Sequence, residues 1–182
     1  MMSTRMKAAV LHKPNDLRFE EVEKPEPAVD EVLVRISVNG LCGSDIHFYE
    51  EGRLGPFRVT TPYIPGHEAS GVIEATGAAA VDGVPIGTRV AIEPGVPCRR
   101  CEWCKSGRYN LCPDVVFMSA PPVNGTFAEY AVVAADFAHR EVAALRVGEV
   151  EAADAGGGGH GHRLGQSDPG PVFGVEQGEE GR

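Results

Sequence analysis

Residues 31–47, EVLVRISVNGLCGSDIH, contain a change of period that sets the reading of the whole chain. Val32, Val34, Ile36 and Val38 alternate with Leu33, Arg35, Ser37 and Asn39, and apolar residues at every second position predict a half-buried strand. Beyond Gly40 the alternation stops. The next stretch, CGSDIHFYE, places Ser44 or Asp45 to cap a short helix. Upstream, residues 6–12 (MKAAVLH) and 17–22 (LRFEEV) read as two strands joined by KPND, a turn-forming tetrapeptide, so a hairpin is expected. Downstream, strands are expected at 68–76, 88–93 and 127–134, each bounded by glycine or proline. Short strands at fairly regular spacing predict a mainly β fold built as a small barrel.

Composition narrows the function classes. The chain has 182 residues, enough for one domain with a real core but short for two. Net charge is −9, and no basic cluster exceeds the Arg99, Arg100 pair. An acidic surface repels phosphate backbones and anionic lipid, so neither nucleic acid nor a membrane is an expected partner. The N-terminus, MMSTRMKAAV, lacks the apolar run of a signal peptide, and a cytoplasmic location is expected. In a reducing cytosol, clustered cysteines point to metal before they point to disulfides.

Four of the five cysteines fall within CRRCEWCKSGRYNLC, residues 98–112. The spacing C-x2-C-x2-C-x7-C admits three readings: a closed tetrahedral zinc site, an iron–sulfur site, or unpaired thiols in a loop. Pro113 after Cys112 favours a ferredoxin pattern, but the long final gap fits it poorly, and zinc is the preferred reading. Upstream, Cys42 in CGSDIH together with His67 and Glu68 in IPGHEASG offers a thiolate, an imidazole and a carboxylate. Three such ligands leave a fourth zinc position open to water or substrate.

Beyond His139 the character changes. The run from Arg140 to Arg182 is rich in Gly, Glu and Asp, with one or two helical turns expected near 142–150 and disorder from about 150 on. GGGGHGHRLG lacks the preceding strand and following helix that a dinucleotide fingerprint requires.

Taken together, GLCGSDIH, PGHEASGVIEATG, GTRVAIEPG, the four-cysteine stretch and NGTFAEY resemble the zinc-dependent medium-chain dehydrogenase/reductase family, the alcohol dehydrogenase superfamily with a GroES-like catalytic domain. CGSDIHFY, AIEPG and FMSAPPVNGTFAEY are similar to its polyol branch, the sorbitol and xylitol dehydrogenases. The resemblance implies a GroES-like β-barrel over residues 6–139, a zinc-binding lobe at 95–115 and an atypical tail at 140–182. It places Cys42, His67 and Glu68 on a catalytic zinc, and Cys98, Cys101, Cys104 and Cys112 on a structural one. It makes Ser44 the acceptor of the substrate alcohol's proton, His47 an outer member of a relay toward solvent, and Asp45 the group that orients His67. The implied activity is oxidation of a polyol to a ketose by hydride transfer to NAD or NADP, in a parent enzyme that is a homo-oligomer. Threonine or simple alcohol dehydrogenase is the alternative within the family.

Two departures stand out. Phe48 occupies a position where many sorbitol dehydrogenases carry a substrate-contacting tyrosine, and Thr88 replaces the aspartate of a GDRV turn. Nothing after His139 reads as a Rossmann domain. A truncated product is therefore expected, and for the chain by itself a catalytically inactive zinc-binding remnant is the preferred reading.

Overall fold

The computed structural model describes residues 4–80 and 84–141. The helical turns expected near 142–150 and the disorder expected on to 182 lie outside the described residues. In the first of two compact units, β1 (Arg5–Lys13) and β2 (Asp16–Glu23) form the hairpin that KPND implies, antiparallel from Arg5↔Glu23 to Lys13↔Asp16. There follow β3 (Glu31–Gly40), α1 (Gly43–Glu51), a two-residue pair β4 (Arg53–Leu54) and β5 (Phe57–Arg58), then β6 (Glu68–Thr76) and β7 (Arg89–Ile92). Strand β8 (Gly95–Val96) leads into α2 (Glu102–Lys105) and a 3-10 turn at Tyr109–Leu111. The chain continues through β9 (Val116–Phe117), β10 (Tyr130–Ala134), a second 3-10 turn (Ala135–Phe137) and β11 (Ala138–Arg140).

Five strands form one sheet in the order β10-β3-β6-β7-β11, every pair antiparallel. The sheet curls into a GroES-like half-barrel. Val32, Val34, Ile73, Val90 and Ile92 pack on its inner face, and each such side chain contributes about 1.5–3 kcal/mol when fully buried.

The expected alternation of β3 survives for only part of its length. Ile36 pairs with Gly71 but Val38 pairs with Ser70, so Ser37 is an extra residue with no partner across the ladder. A bulge of this kind reverses which side chains face inward. Val38, expected inside, is 65 % exposed, and Asn39 instead turns toward Thr126, whose carbonyl accepts from Nδ2 at 2.5 Å. Leu33, expected on the open face, is only 4 % exposed.

The strand expected over 127–134 begins only at Tyr130. Its first residues pair with the hairpin instead: Ala9 donates to the Phe127 carbonyl at 2.8 Å, and Glu129 donates to the Lys7 carbonyl at 3.0 Å. On the same strand, Leu11 exchanges backbone bonds with Tyr63 at 2.9 and 3.2 Å. Strand β1 thus ties the 63–67 loop to the 124–127 loop, which sets the position of His67.

The helix cap also differs from expectation. Cys42 is the N-cap of α1, with extended backbone (φ −83°, ψ 151°), and neither Ser44 nor Asp45 holds that place. Asp45 sits three residues into the helix and its Oδ2 accepts from the Cys42 N–H at 3.1 Å, the return half of a capping box. The helix ends at Gly52, left-handed at φ 67° and packed so closely on Pro14 that a Cβ would lie 2.6 Å from its ring.

A candidate two-centre metal site

Strand β3 ends at Gly40 and delivers Cys42 two residues later, while β6 begins at Glu68 with His67 just before it. Because Gly40 pairs with Glu68 across the ladder, these three side chains meet at one end of the seam. One ligand atom from each of Cys42, His67 and Glu68 lies within 4.8 Å of the others. Cys42 and His67 are half-buried and Glu68 is exposed, a set closed on the protein side and open on the other.

Asp45 is the anchor of this corner. It is 4 % exposed, and besides Cys42 it accepts from the Gly66 N–H at 3.2 Å and the Ser119 hydroxyl at 3.4 Å, both on Oδ1. The same oxygen stands 3.7 Å from His67 Nδ1, a buried nitrogen with no hydrogen-bond partner. A carboxylate facing Nδ1 favours the tautomer protonated there and leaves the lone pair on Nε2. The Phe117 ring meets His67 edge-on, with centroids 5.5 Å apart. Gly66 has φ +93°, and a Cβ there would lie 2.4 Å from the Phe127 ring, so only glycine passes the chain through this crossing to His67. Beneath Asp45, the Tyr63 phenol is held above its ordinary range, first by burial and then by the Asp45 charge.

Ser44 is half-buried on the first turn of α1, and His47 is three residues on, one turn along the same face. His47 is exposed, with Nδ1 3.1 Å from Glu51 Oε1. Phe48 does not face the opening. It is buried against Leu11 and meets Tyr63 edge-on at 6.1 Å.

The four-cysteine stretch forms the second candidate centre, with one sulfur from each of Cys98, Cys101, Cys104 and Cys112 inside the same 4.8 Å limit. Cys101 caps α2 by accepting from the Cys104 N–H at 3.5 Å, and Cys112 Sγ accepts from the Cys98 N–H at 3.3 Å. The Cys98 thiol is pulled down to about 6 by the backbone N–H groups of Arg100 and Cys101. Burial, then the neighbouring Cys101 and Cys112, push the Cys104 thiol up to about 12. Four crowded sulfurs cannot all ionise unless a cation offsets their charge, which is the donor chemistry of a closed thiolate metal site. The stretch is tied to the 3-10 turn between β10 and β11: Arg99 holds both Asp136 oxygens at 2.6 and 2.8 Å, and Tyr109 packs edge-on to Phe137 at 5.9 Å.

The sequence reading assembled both ligand groups and Asp45 but did not include Ser119, Gly66 as an Asp45 donor, or Phe117. Ser119 and Phe117 carry no spacing signal, because they reach the corner from β9 and the loop after it only through the tertiary fold.

Residues 28–143 match the alcohol dehydrogenase GroES-like domain. The chain belongs to that family. Among curated relatives, the sorbitol dehydrogenase of Bacillus subtilis (strain 168) is 50 % identical over 132 residues, covering 72 % of this chain and 37 % of the relative. A probable D-xylulose reductase A of Arthroderma otae is 45 % identical over 139 residues, covering 75 % and 38 %. The chain thus spans little more than a third of the length of either. Among solved structures, a cobalt- and zinc-bound thermostable alcohol dehydrogenase from Pyrobaculum aerophilum superposes with TM-score 0.67 at 31 % identity, covering 78 % of this chain and 43 % of that one. A short chain alcohol dehydrogenase from Escherichia coli CFT073, complexed with cofactor NADH, gives TM-score 0.65 at 37 % identity, covering 76 % and 39 %. No helix among the described residues is long and apolar enough to cross a membrane.

Proposed function

We propose that this chain is the part of a zinc-dependent polyol dehydrogenase that holds the metal and the alcohol, serving oxidation of a sorbitol- or xylitol-type sugar alcohol to a ketose with NAD or NADP. The observation that carries it is the meeting of Cys42, His67 and Glu68, drawn from two separate segments, beside a buried Asp45 that faces the unpartnered Nδ1 of His67. A thiolate, an imidazole and a carboxylate suit zinc, with the four thiolates as a second, closed site. The polyol class rests on the sorbitol dehydrogenase and D-xylulose reductase relatives. The reading carries a cytoplasmic location and a small-molecule partner, without nucleic acid or membrane.

A zinc ion held by Cys42, His67 and Glu68 would supply Lewis-acid chemistry that eases loss of an alcohol's proton near neutral pH. The chain's own residues supply the rest. Ser44, on the first turn of α1, accepts the alcohol proton and His47, on the solvent side, passes it outward. Asp45 fixes the His67 ring and its tautomer, and Phe117 walls the opening with an apolar ring.

Cobalt in place of zinc distinguishes the two centres, because thiolate-only and mixed ligands give different spectra. Two environments are expected in the parent chain, with His67→Ala removing only the mixed one. A single environment in the parent would remove the basis for the open site.

The 182-residue chain produced alone is expected not to oxidise sorbitol or xylitol. Hydride transfer needs the nicotinamide held about 3–3.5 Å from the alcohol carbon. Dinucleotide sites of the Rossmann type need a parallel βαβ unit, and every strand pair in the five-stranded sheet is antiparallel. Absorbance at 340 nm with each polyol and either cofactor tests this. Turnover that vanishes in Cys42→Ser would show that the chain itself positions the nicotinamide.

A further inference from the structure

Gly40 has no backbone reason to be glycine: its φ lies outside the left-handed region, unlike that of Gly52 or Gly66. What it has is a neighbour. It stands directly opposite Glu68 at the last rung of the β3–β6 ladder, and a Cβ built there would lie 2.5 Å from Glu68 Oε2 and 3.0 Å from Glu68 Cβ. The nearer of these atoms is the far end of a flexible side chain. Glu68 folds its carboxylate back across the bare glycine, into the space that any other residue at position 40 would fill. The register that brings the two residues together depends on the bulge at Ser37, so the arrangement is built into the ladder.

We propose that Gly40 is a positioning residue: it leaves the hollow that keeps the Glu68 carboxylate folded over the seam and within reach of Cys42 and His67. The inference rests on the metal-site reading above and adds to it a determinant of the carboxylate's place. A methyl group at position 40 expels the carboxylate by rotating the exposed, flexible end of the Glu68 side chain, and the 3.0 Å approach to Glu68 Cβ is relieved by a shift of a few tenths of an ångström at this last rung of the ladder. Positioning contacts around metal ligands are generally worth 10–100-fold in metal affinity. The expected loss for Gly40→Ala is therefore about tenfold or more at the mixed-ligand centre.

A double-substitution cycle separates positioning from a general structural role. Cobalt affinity is measured by chelator competition in the parent, Gly40→Ala, Glu68→Ala and the double variant, alongside the thermal midpoint and the four-thiolate spectrum. Gly40→Ala is expected to weaken the mixed centre, leave the other spectrum and the midpoint unchanged, and have no further effect once Glu68 is already alanine. Equal weakening in both backgrounds, or none in either, overturns the proposal. A second readout needs no metal: the side-chain carboxyl 13C resonance of Glu68, assigned by its loss in Glu68→Gln, is expected to shift in metal-free Gly40→Ala. An unshifted resonance overturns the proposal whatever the metal does. A parent chain with only one cobalt environment but a shifted resonance refutes the metal reading and leaves the Gly40–Glu68 packing standing.

Discussion

Cys101→Ser is expected to lose the metal of the four-thiolate centre outright and to make residues 95–115 the first site of proteolytic cleavage. The stretch has little to hold it without an ion. Its only helix, α2, is four residues long with no buried member, and of the four cysteines only Cys112 is buried. Its described attachments to the rest of the fold are few, chiefly the exposed Arg99–Asp136 pair, which contributes about 1 kcal/mol or less, the edge-on contact of Tyr109 with the buried Phe137, and Val96 against the core. Structural zinc in small domains supplies about 10–16 kcal/mol of apparent binding free energy. Zinc content falling from two equivalents to one, with rapid cleavage inside the stretch, is the expected result. Unchanged zinc and digestion would mean that the four sulfurs do not share an ion. The mixed-ligand spectrum should persist, since Cys42, His67 and Glu68 are held by a different part of the sheet.

Asp45→Ala is expected to cost about 3 kcal/mol of folding stability and to weaken the mixed centre 10–100-fold. Three donors lose their acceptor: the N–H of Cys42, the N–H of Gly66 and the hydroxyl of Ser119. An unmet buried donor costs about 1–3 kcal/mol, and partial access of water at the half-buried Cys42 limits the sum. Asp45→Asn keeps the shape and one acceptor oxygen, so its loss should be the smaller of the two. Denaturant midpoints report stability, and cobalt affinity reports the metal centre. A stability change within 0.5 kcal/mol for Asp45→Ala would show that water replaces the carboxylate, and with it would go the role assigned to Asp45 in fixing His67.

The chemistry of the ligands was legible before any coordinates. Thiols at matched intervals, and a Cys, His and Glu near glycine turns, are local signals that depend only on residue type and spacing. So were the hairpin around Pro14–Asn15 and the strands at β3, β6 and β7, because period-two burial is written into neighbouring residues. What failed was whatever depends on a partner far along the chain. The inward face of Val38 was lost to the bulge at Ser37, beyond which β3 keeps its register with β6 while Asn39 bonds Thr126, 87 residues away in sequence. The cap fell to Cys42 because Asp45 is held by Gly66 and Ser119, 21 and 74 residues away in sequence.

By itself, then, the sequence determined the candidate donor residues, the places of most strands and the family, since each is a property of residue identity within a short window. Only the tertiary structure decided that Cys42 and His67 face each other, that Asp45 is the common acceptor behind them, that Phe48 belongs to the core, and that Gly40 makes room for Glu68. The reason is physical. Burial, hydrogen-bond partnership and close approach are relations between segments brought together by the curled sheet, and no pattern within one segment encodes the register at which another will meet it.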